Sequence, residues 1–392
     1  MDSKRLQGLD FSKIKTPCFI VDEKALEENL KILSAVQKQS GIRILLALKA
    51  FSMYSVFPLI SRHLYGICAS GLNEARLGFE EFKKEVHTFS PAFSENEFSE
   101  ISRCSNYIIF NSIAQWKKFK PIIQKNKKKI YAGLRLNPEH SVASRKFGVY
   151  DPCSKNSRLG ITLDNLDEKE LDGITGIHFH ALCEQNADAL EEVLDAFVKR
   201  FSHIIKKMEW VNFGGGHHIT AKNYDRKKLK KLISDFKKQF PSINRIYMEP
   251  GEAIALNAGI FVSTVLDIVQ NEKKTAILDS SVETHFPDIL ITKNEAEPYI
   301  PEIIGADLSG KYPYKYLLGG ISCAAGDVFG EYSFKKPISI GQKIFFLDAA
   351  HYSMVKLSTF NGVELPTIYL LSKSGKLKLI KEFSYKDFKA RL

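Results

Sequence analysis

Ile44-Leu45-Leu46-Ala47-Leu48 is an apolar run of strand length, closed by Lys49 and followed at once by Ala50-Phe51. A cation at the tip of a buried strand is costly unless it is paired, solvated at a rim or neutralised by covalent chemistry. Lysine also forms Schiff bases with carbonyl compounds once desolvation lowers its pKa. A strand that simply ends in solvent is the competing reading, and the residues downstream decide between them. Seven more strand-like runs follow, at 65–69, 86–90, 107–110, 131–136, 176–180, 210–213 and 246–249. Helical patterns such as 72–82 and 187–207 lie between them. Strands alternating with amphipathic helices imply βαβ units and a parallel sheet. Eight such units in roughly 250 residues fit a (β/α)8 barrel better than an open sheet.

After about Ala255 the pattern changes. Segments 261–268, 275–278, 343–347, 367–371 and 377–380 are β-like, separated by Gly and Pro turns, with little helical periodicity. The expected organisation is a barrel over residues 22–255 and a mostly β domain over 256–392. The opening run Thr16-Pro17-Cys18-Phe19-Ile20-Val21-Asp22 is also extended and belongs either to the barrel entrance or, as expected here, with residues 1–21 to the β domain.

Composition narrows the class further. A chain of 392 residues with 44% hydrophobic and 26% charged residues is ordinary for a soluble globular protein. No apolar stretch nears the ~20 residues of a membrane span, and the first five residues lead into no apolar signal core. Cys18, Cys68, Cys104, Cys153, Cys183 and Cys323 are scattered without a CxxC pair. That argues against zinc ribbons and disulfide scaffolds and for the cytoplasm. The net charge of +11 invites a nucleic-acid reading. Its densest sources are segments 117–129 and 226–238, and in the second Leu229, Leu232, Ile233 and Phe236 recur at helical spacing between lysines. This is a surface helix burying one stripe, so neither nucleic acid nor membrane is the expected partner.

In a barrel, functional groups gather at the C-terminal ends of the strands, and phosphates often bind after strands seven and eight. Strand one ends in Lys49 and strand six in His178-Phe179-His180. Strand seven runs into Phe213-Gly214-Gly215-Gly216, and strand eight into Glu249-Pro250-Gly251-Glu252. Three glycines remove every Cβ from a short loop and let backbone N–H groups converge on an anion. His178 and His180 share one face of a strand, so zinc is a competitor, with His217 and His218 nearby. Further ligands are not evident at the other strand ends, and a metal does not explain Lys49. Glu249 could hold a protonated ring nitrogen, act as a base or cap a loop.

In this order, the segments resemble the fold-type III decarboxylases that use pyridoxal 5'-phosphate (PLP). That group holds ornithine and diaminopimelate decarboxylases and is related to alanine racemase. Leu46-Ala47-Leu48-Lys49-Ala50 resembles the Schiff-base lysine motif, and Cys68-Ala69-Ser70 with Glu74 a second family segment. The resemblance implies an alanine racemase-like (β/α)8 barrel with a C-terminal β domain. It implies that His180 stacks on the cofactor ring, that Gly214, Gly215 and Gly216 meet the phosphate, and that Glu249 faces the pyridine nitrogen. Gly320-Ile321-Ser322-Cys323, with Asp327 behind it, resembles the cysteine loop given by a neighbouring subunit, which implies a homodimer. Ala350-His351-Tyr352 resembles the tyrosine segment that reaches the phosphate.

Two departures point to a branch. Members for ornithine or diaminopimelate carry EPGR and an acid after the loop cysteine, where this chain has Glu252 and Ala324. Losing that acid would leave a short diamino acid's distal group unpaired. Lys49-Ala50-Phe51, the run from His178 to Glu184 and the run from Asp279 to Asp288 are together similar to the branch that decarboxylates carboxynorspermidine or carboxyspermidine. Such a substrate joins an amino-acid head to a long cationic tail, for which Glu252, Glu283, Asp288 and Asp327 are the candidate contacts. The resemblance implies Lys49 and Cys323 as the catalytic pair, with no metal. Diaminopimelate, ornithine and arginine decarboxylases are the alternatives.

Overall fold

The computed structural model describes residues 3–6, 9–143 and 148–392. Contacts divide the chain into two units: residues up to Glu28 with Ala255–Leu392, and Asn29–Ile254.

The first strand, β1 (Cys18–Asp22), is buried throughout and belongs to the first of these units. The second unit is a closed barrel of eight parallel strands: β2 (Arg43–Ala47), β3 (Gly66–Ala69), β4 (Glu85–Phe89), β5 (Tyr107–Phe110), β6 (Tyr131–Arg135), β7 (Ile174–His178), β8 (Trp210–Asn212) and β9 (Arg245–Met248). The expected strands are all present, displaced by at most two residues. β9 pairs with β2 to close the ring.

Inside the barrel, Leu45, Tyr107, Ile109, Trp210 and Tyr247 form a buried cluster. Trp210 lies so close to its neighbours that a Cβ on Gly176 would come 2.0 Å from the indole, and one on Gly133 2.4 Å. Those two glycines exist to admit the indole. Tyr247 Oη donates its one proton to Glu85 (3.0 Å) and accepts from Tyr107 Oη (2.9 Å), so these polar atoms of the filled interior are paired.

Outside, the helices bury one stripe each. Ala187–Ile205 turns Leu190, Val193, Leu194, Phe197, Phe201, Ile204 and Ile205 inward, and the Asn186 side chain accepts from its first amide. Arg226–Gln239 buries Leu229, Ile233 and Phe236, capped by Asp225. Its Lys228 reaches Asp188 and Glu191, as a solvated face would. Among the described residues no helix is long and apolar enough to cross a membrane.

The first unit is a nine-stranded sheet. Beyond β1 it holds β10 (Gly259–Gln270), β11 (Lys274–Leu278), β12 (Ala306–Asp307), β13 (Tyr314–Gly319), β14 (Val328–Phe334), β15 (Lys343–Phe346), β16 (Thr367–Leu371) and β17 (Leu377–Lys381). The order is β12-β14-β13-β11-β10-β1-β16-β17, with β15 also on β10. β1 is therefore an interior strand, antiparallel to β10 and parallel to β16. Strands β12, β13 and β14 have no counterpart in the sequence reading.

Candidate active site

Four groups stand just past the C-terminal ends of barrel strands. Lys49 lies exposed in the turn after β2, between buried Leu48 and Ala50. The rim thus removes the burial penalty that its strand suggested, and the amine is accessible. Because β2 and β9 are neighbours, Lys49 and Glu249 stand on adjacent strand ends. His180 is half-buried two residues past β7, and Gly214, Gly215 and Gly216 follow β8.

Glu249 is 14% exposed. Asn212 Nδ2 donates to its Oε1 at 2.6 Å, and His178 Nε2 lies 3.7 Å from its Oε2. Burial alone would raise this carboxyl, but its interactions with His178 first, and then with His180 and Lys49, hold it well below the usual carboxylate range. Glu249 thus shares the barrel mouth with Lys49, Arg135, His178 and His180. His178, wholly enclosed, is lowered chiefly by burial. His180 is lowered well below the ordinary value, first by burial and then by the Lys49 and Arg135 cations.

The glycine loop is packed against both neighbours. A Cβ would meet Phe179 O at 2.4 Å from Gly214, Glu249 O at 2.6 Å from Gly215 and Leu182 O at 2.0 Å from Gly216. Gly214 N donates to Asn212 Oδ1 (2.8 Å) and Gly215 N to His180 Nδ1 (2.9 Å). The first two amides of the loop are therefore engaged. Those of Gly216 and His217 have no acceptor among the described residues, and they are the ones open to an anion.

Several groups escaped the sequence reading. Arg135, at the end of β6, is buried, donates to His180 O (3.3 Å) and stacks its guanidinium 4.7 Å over Phe89; burial lowers it to about 10. A charged last residue on an apolar strand was its signal. Glu184, His218 and Glu252 bring their ligand atoms within 4.8 Å of one another, with His218 Nε2 3.1 Å from Glu252 Oε2. Glu252 is thus already beside a histidine and a second acid. Cys68, on β3, is raised far above the usual thiol by burial, and Glu74 accepts from Ser70 N (2.6 Å).

The sheet unit holds the remaining candidates. Cys323 is exposed, with its amide donating to Asn361 Oδ1 (2.8 Å). Asp327 is buried and accepts from Val282 N (2.7 Å) and Ser322 N (3.0 Å), so its carboxylate clamps the cysteine loop. Tyr352 has φ +50°, a left-handed conformation unusual for tyrosine. Asp288 is held by Lys356. Glu283, half-buried in the short helix Val282–His285, has no side-chain partner among the described residues.

A parallel barrel with a lysine, a glycine loop and a buried anion at one rim, joined in one chain to a β-sheet unit, is the architecture of a class of cofactor-dependent lyases. The chain belongs to the pyridoxal-dependent decarboxylases: the family described as "Pyridoxal-dependent decarboxylase, C-terminal sheet domain" matches residues 18–350. It is 44% identical to the carboxynorspermidine/carboxyspermidine decarboxylase of Campylobacter jejuni, over 97% of this chain and 99% of that one. It is 39% identical to the carboxyaminopropylagmatine decarboxylase of a Synechocystis species, over 99% and 98%. The crystal structure of the Campylobacter jejuni carboxynorspermidine decarboxylase complexed with norspermidine superposes with a TM-score of 0.88 at 43% identity, covering 97% of this chain and all of that one. A diaminopimelate decarboxylase structure at 17% identity and TM-score 0.79 shares the fold.

Proposed function

We propose that the protein binds PLP and decarboxylates a carboxylated polyamine, carboxynorspermidine or carboxyspermidine, to norspermidine or spermidine. The observation that carries this reading is the Glu249 carboxyl group, tied through Asn212 to the glycine loop on the strand end beside Lys49. An aldehyde needs an accessible amine, a dianionic phosphate needs open amides in a loop without Cβ atoms, and a pyridinium needs a buried anion. All three fit residues present here. When bound, the cofactor would supply an electrophilic ring that takes up the electron pair left on the substrate carbon as carbon dioxide departs.

Lys49 supplies the amine that holds the cofactor. Glu249 keeps a proton on the ring nitrogen, which requires that it stay ionised. His180, neutral and fixed by Gly215 N, presents a ring face for packing. Gly216 and His217 amides take the phosphate, and Tyr352 is the further candidate that the family resemblance adds. Cys323 is the candidate to protonate the decarboxylated carbon. It is exposed within its own unit beside Ile321, also exposed at 47%, which supports a homodimer in which a second copy covers this loop. All six cysteines are free thiols, which supports a cytoplasmic setting.

Of the acids proposed for the substrate tail, Glu283 is best supported, because Asp327 and Asp288 are engaged within their own unit and Glu252 lies beside His218. The Synechocystis relative's name raises a guanidino-tailed substrate as a second reading. One experiment separates these. The purified protein with PLP is offered carboxynorspermidine, carboxyspermidine, carboxyaminopropylagmatine, diaminopimelate, ornithine and arginine, and the amine products are identified. Turnover of the polyamines above all others supports the proposal. Turnover of a short amino acid, or the same activity from Lys49→Ala, overturns it.

A further inference from the structure

Asn212 is a wholly buried polar residue at the end of an apolar strand, flanked by Trp210, Val211 and Phe213. Such a residue is stable only if its amide is fully used. Its Nδ2 donates to Glu249 Oε1 (2.6 Å) and its Oδ1 accepts from Gly214 N (2.8 Å). The circuit closes on itself, since Glu249 N donates to Gly214 O (2.8 Å). The amide has one allowed orientation. A carboxylate only accepts and a backbone N–H only donates, so a flipped side chain would lose both bonds. The backbone carbonyl of Asn212 also accepts from Phe179 N (3.0 Å), which fixes the segment leading to His180.

We propose that Asn212 is a positioning residue for the cofactor: one rigid amide sets the acid that faces the ring nitrogen against the loop that takes the phosphate. This rests on the PLP reading above. The distance between these two cofactor-binding groups is then held by a side chain that need not touch the cofactor. Asn212 also donates a short hydrogen bond to the Glu249 carboxylate, which fixes the oxygen that faces the strand end. The other titratable groups around Glu249 are Lys49, Cys68, His87, Arg135, His178 and His180.

Asn212→Asp tests this with little change of shape. It keeps the acceptor for Gly214 N but sets a second carboxylate against Glu249, and two like charges at that distance share a proton. The holoenzyme variant is expected to bind PLP within about threefold of wild type. The near-visible absorbance of its lysine-bound cofactor should titrate between pH 6 and 9, where wild type is flat, and kcat should fall at least tenfold. Asn212→Asp combined with Glu249→Gln swaps donor and acceptor across the same bond. It should abolish that titration without restoring kcat, because no anion faces the ring. Melting of each apo-protein reports folding separately. An Asn212→Asp protein with wild-type spectrum, pH profile and kcat overturns the inference. If wild type itself takes up no PLP, the function proposed above fails instead.

Discussion

The Lys356 ammonium lies 2.6 and 2.8 Å from the two carboxylate oxygens of Asp288 and 5.0 Å from the centre of the Tyr352 ring. A substrate amine would have to displace Lys356 to reach this acid. The pair instead braces Tyr352, whose left-handed backbone needs support from its surroundings. Asp288→Asn is therefore expected to leave KM for carboxynorspermidine within threefold of wild type. It should weaken PLP binding about fivefold, or about 1 kcal/mol, the scale of a partly exposed ion pair. Steady-state kinetics beside a cofactor titration checks this; a large KM effect with unchanged cofactor affinity would return Asp288 to the substrate.

Glu283 gives the contrasting result. Its neighbours Val282, Thr284 and His285 are buried, so the helix is fixed while the carboxylate keeps a half-open position. Neutralising one partner of a charge-assisted hydrogen bond costs about 1.5–3 kcal/mol, roughly 10- to 150-fold. Glu283→Gln should raise KM by that factor for the long polyamine substrates and leave kcat nearly unchanged. Equal loss on diaminopimelate would show that the residue does not read the tail.

Gly216 and Gly375 have nearly the same φ, +83° and +81°. A Cβ on Gly216 would sit 2.0 Å from Leu182 O, whereas one on Gly375 meets nothing within 4 Å. Gly375→Ala should cost about 1 kcal/mol for the left-handed conformation alone, with activity intact. Gly216→Ala must also push the loop off the strand end, and a loss of PLP affinity of 100-fold or more is expected. Cofactor titration and apo-protein melting of the two variants separate conformational strain from steric displacement.

What could be read from the chain follows the range of the interactions. Each βα unit is local, so the eight barrel strands and the groups at their ends were visible as pattern: Lys49, His180, Gly214 to Gly216 and Glu249. The pairing of β1 was not, because Cys18 meets Val262 and Thr367, far along the chain. Strands β13 and β14 carry exposed and charged positions such as Lys315 and Glu331, which hide their alternation. Nothing local in the sequence marks Asn212, since its meaning lies in a carboxylate 37 residues away. The engagement of Asp327 and Asp288 was equally hidden, for a carboxylate holding a loop amide or a lysine has the same letter as one awaiting substrate.

Buried neutral histidines set the acid limit of stability. His285 accepts from Ser281 N at Nδ1 (3.1 Å) and lies 3.2 Å from Glu364 O at Nε2, a pairing that needs one proton and one lone pair on the ring. Burial lowers His285 to about 4, and likewise His217. The folded-state pKa lies below the unfolded value, near 6.5, so between those limits the unfolded chain binds protons that the folded chain refuses. The stability these groups allow is intact above about pH 6.5 and is lost as pH falls toward 4. The loss is about 3 kcal/mol for each histidine across that window. Urea unfolding at pH 7.5, 6.0, 5.0 and 4.5 should show this decline. His285→Gln should be less stable at pH 7.5 yet decline less steeply, by about one proton in the slope. An unchanged slope in that variant would mean that His285 is already protonated in the folded protein.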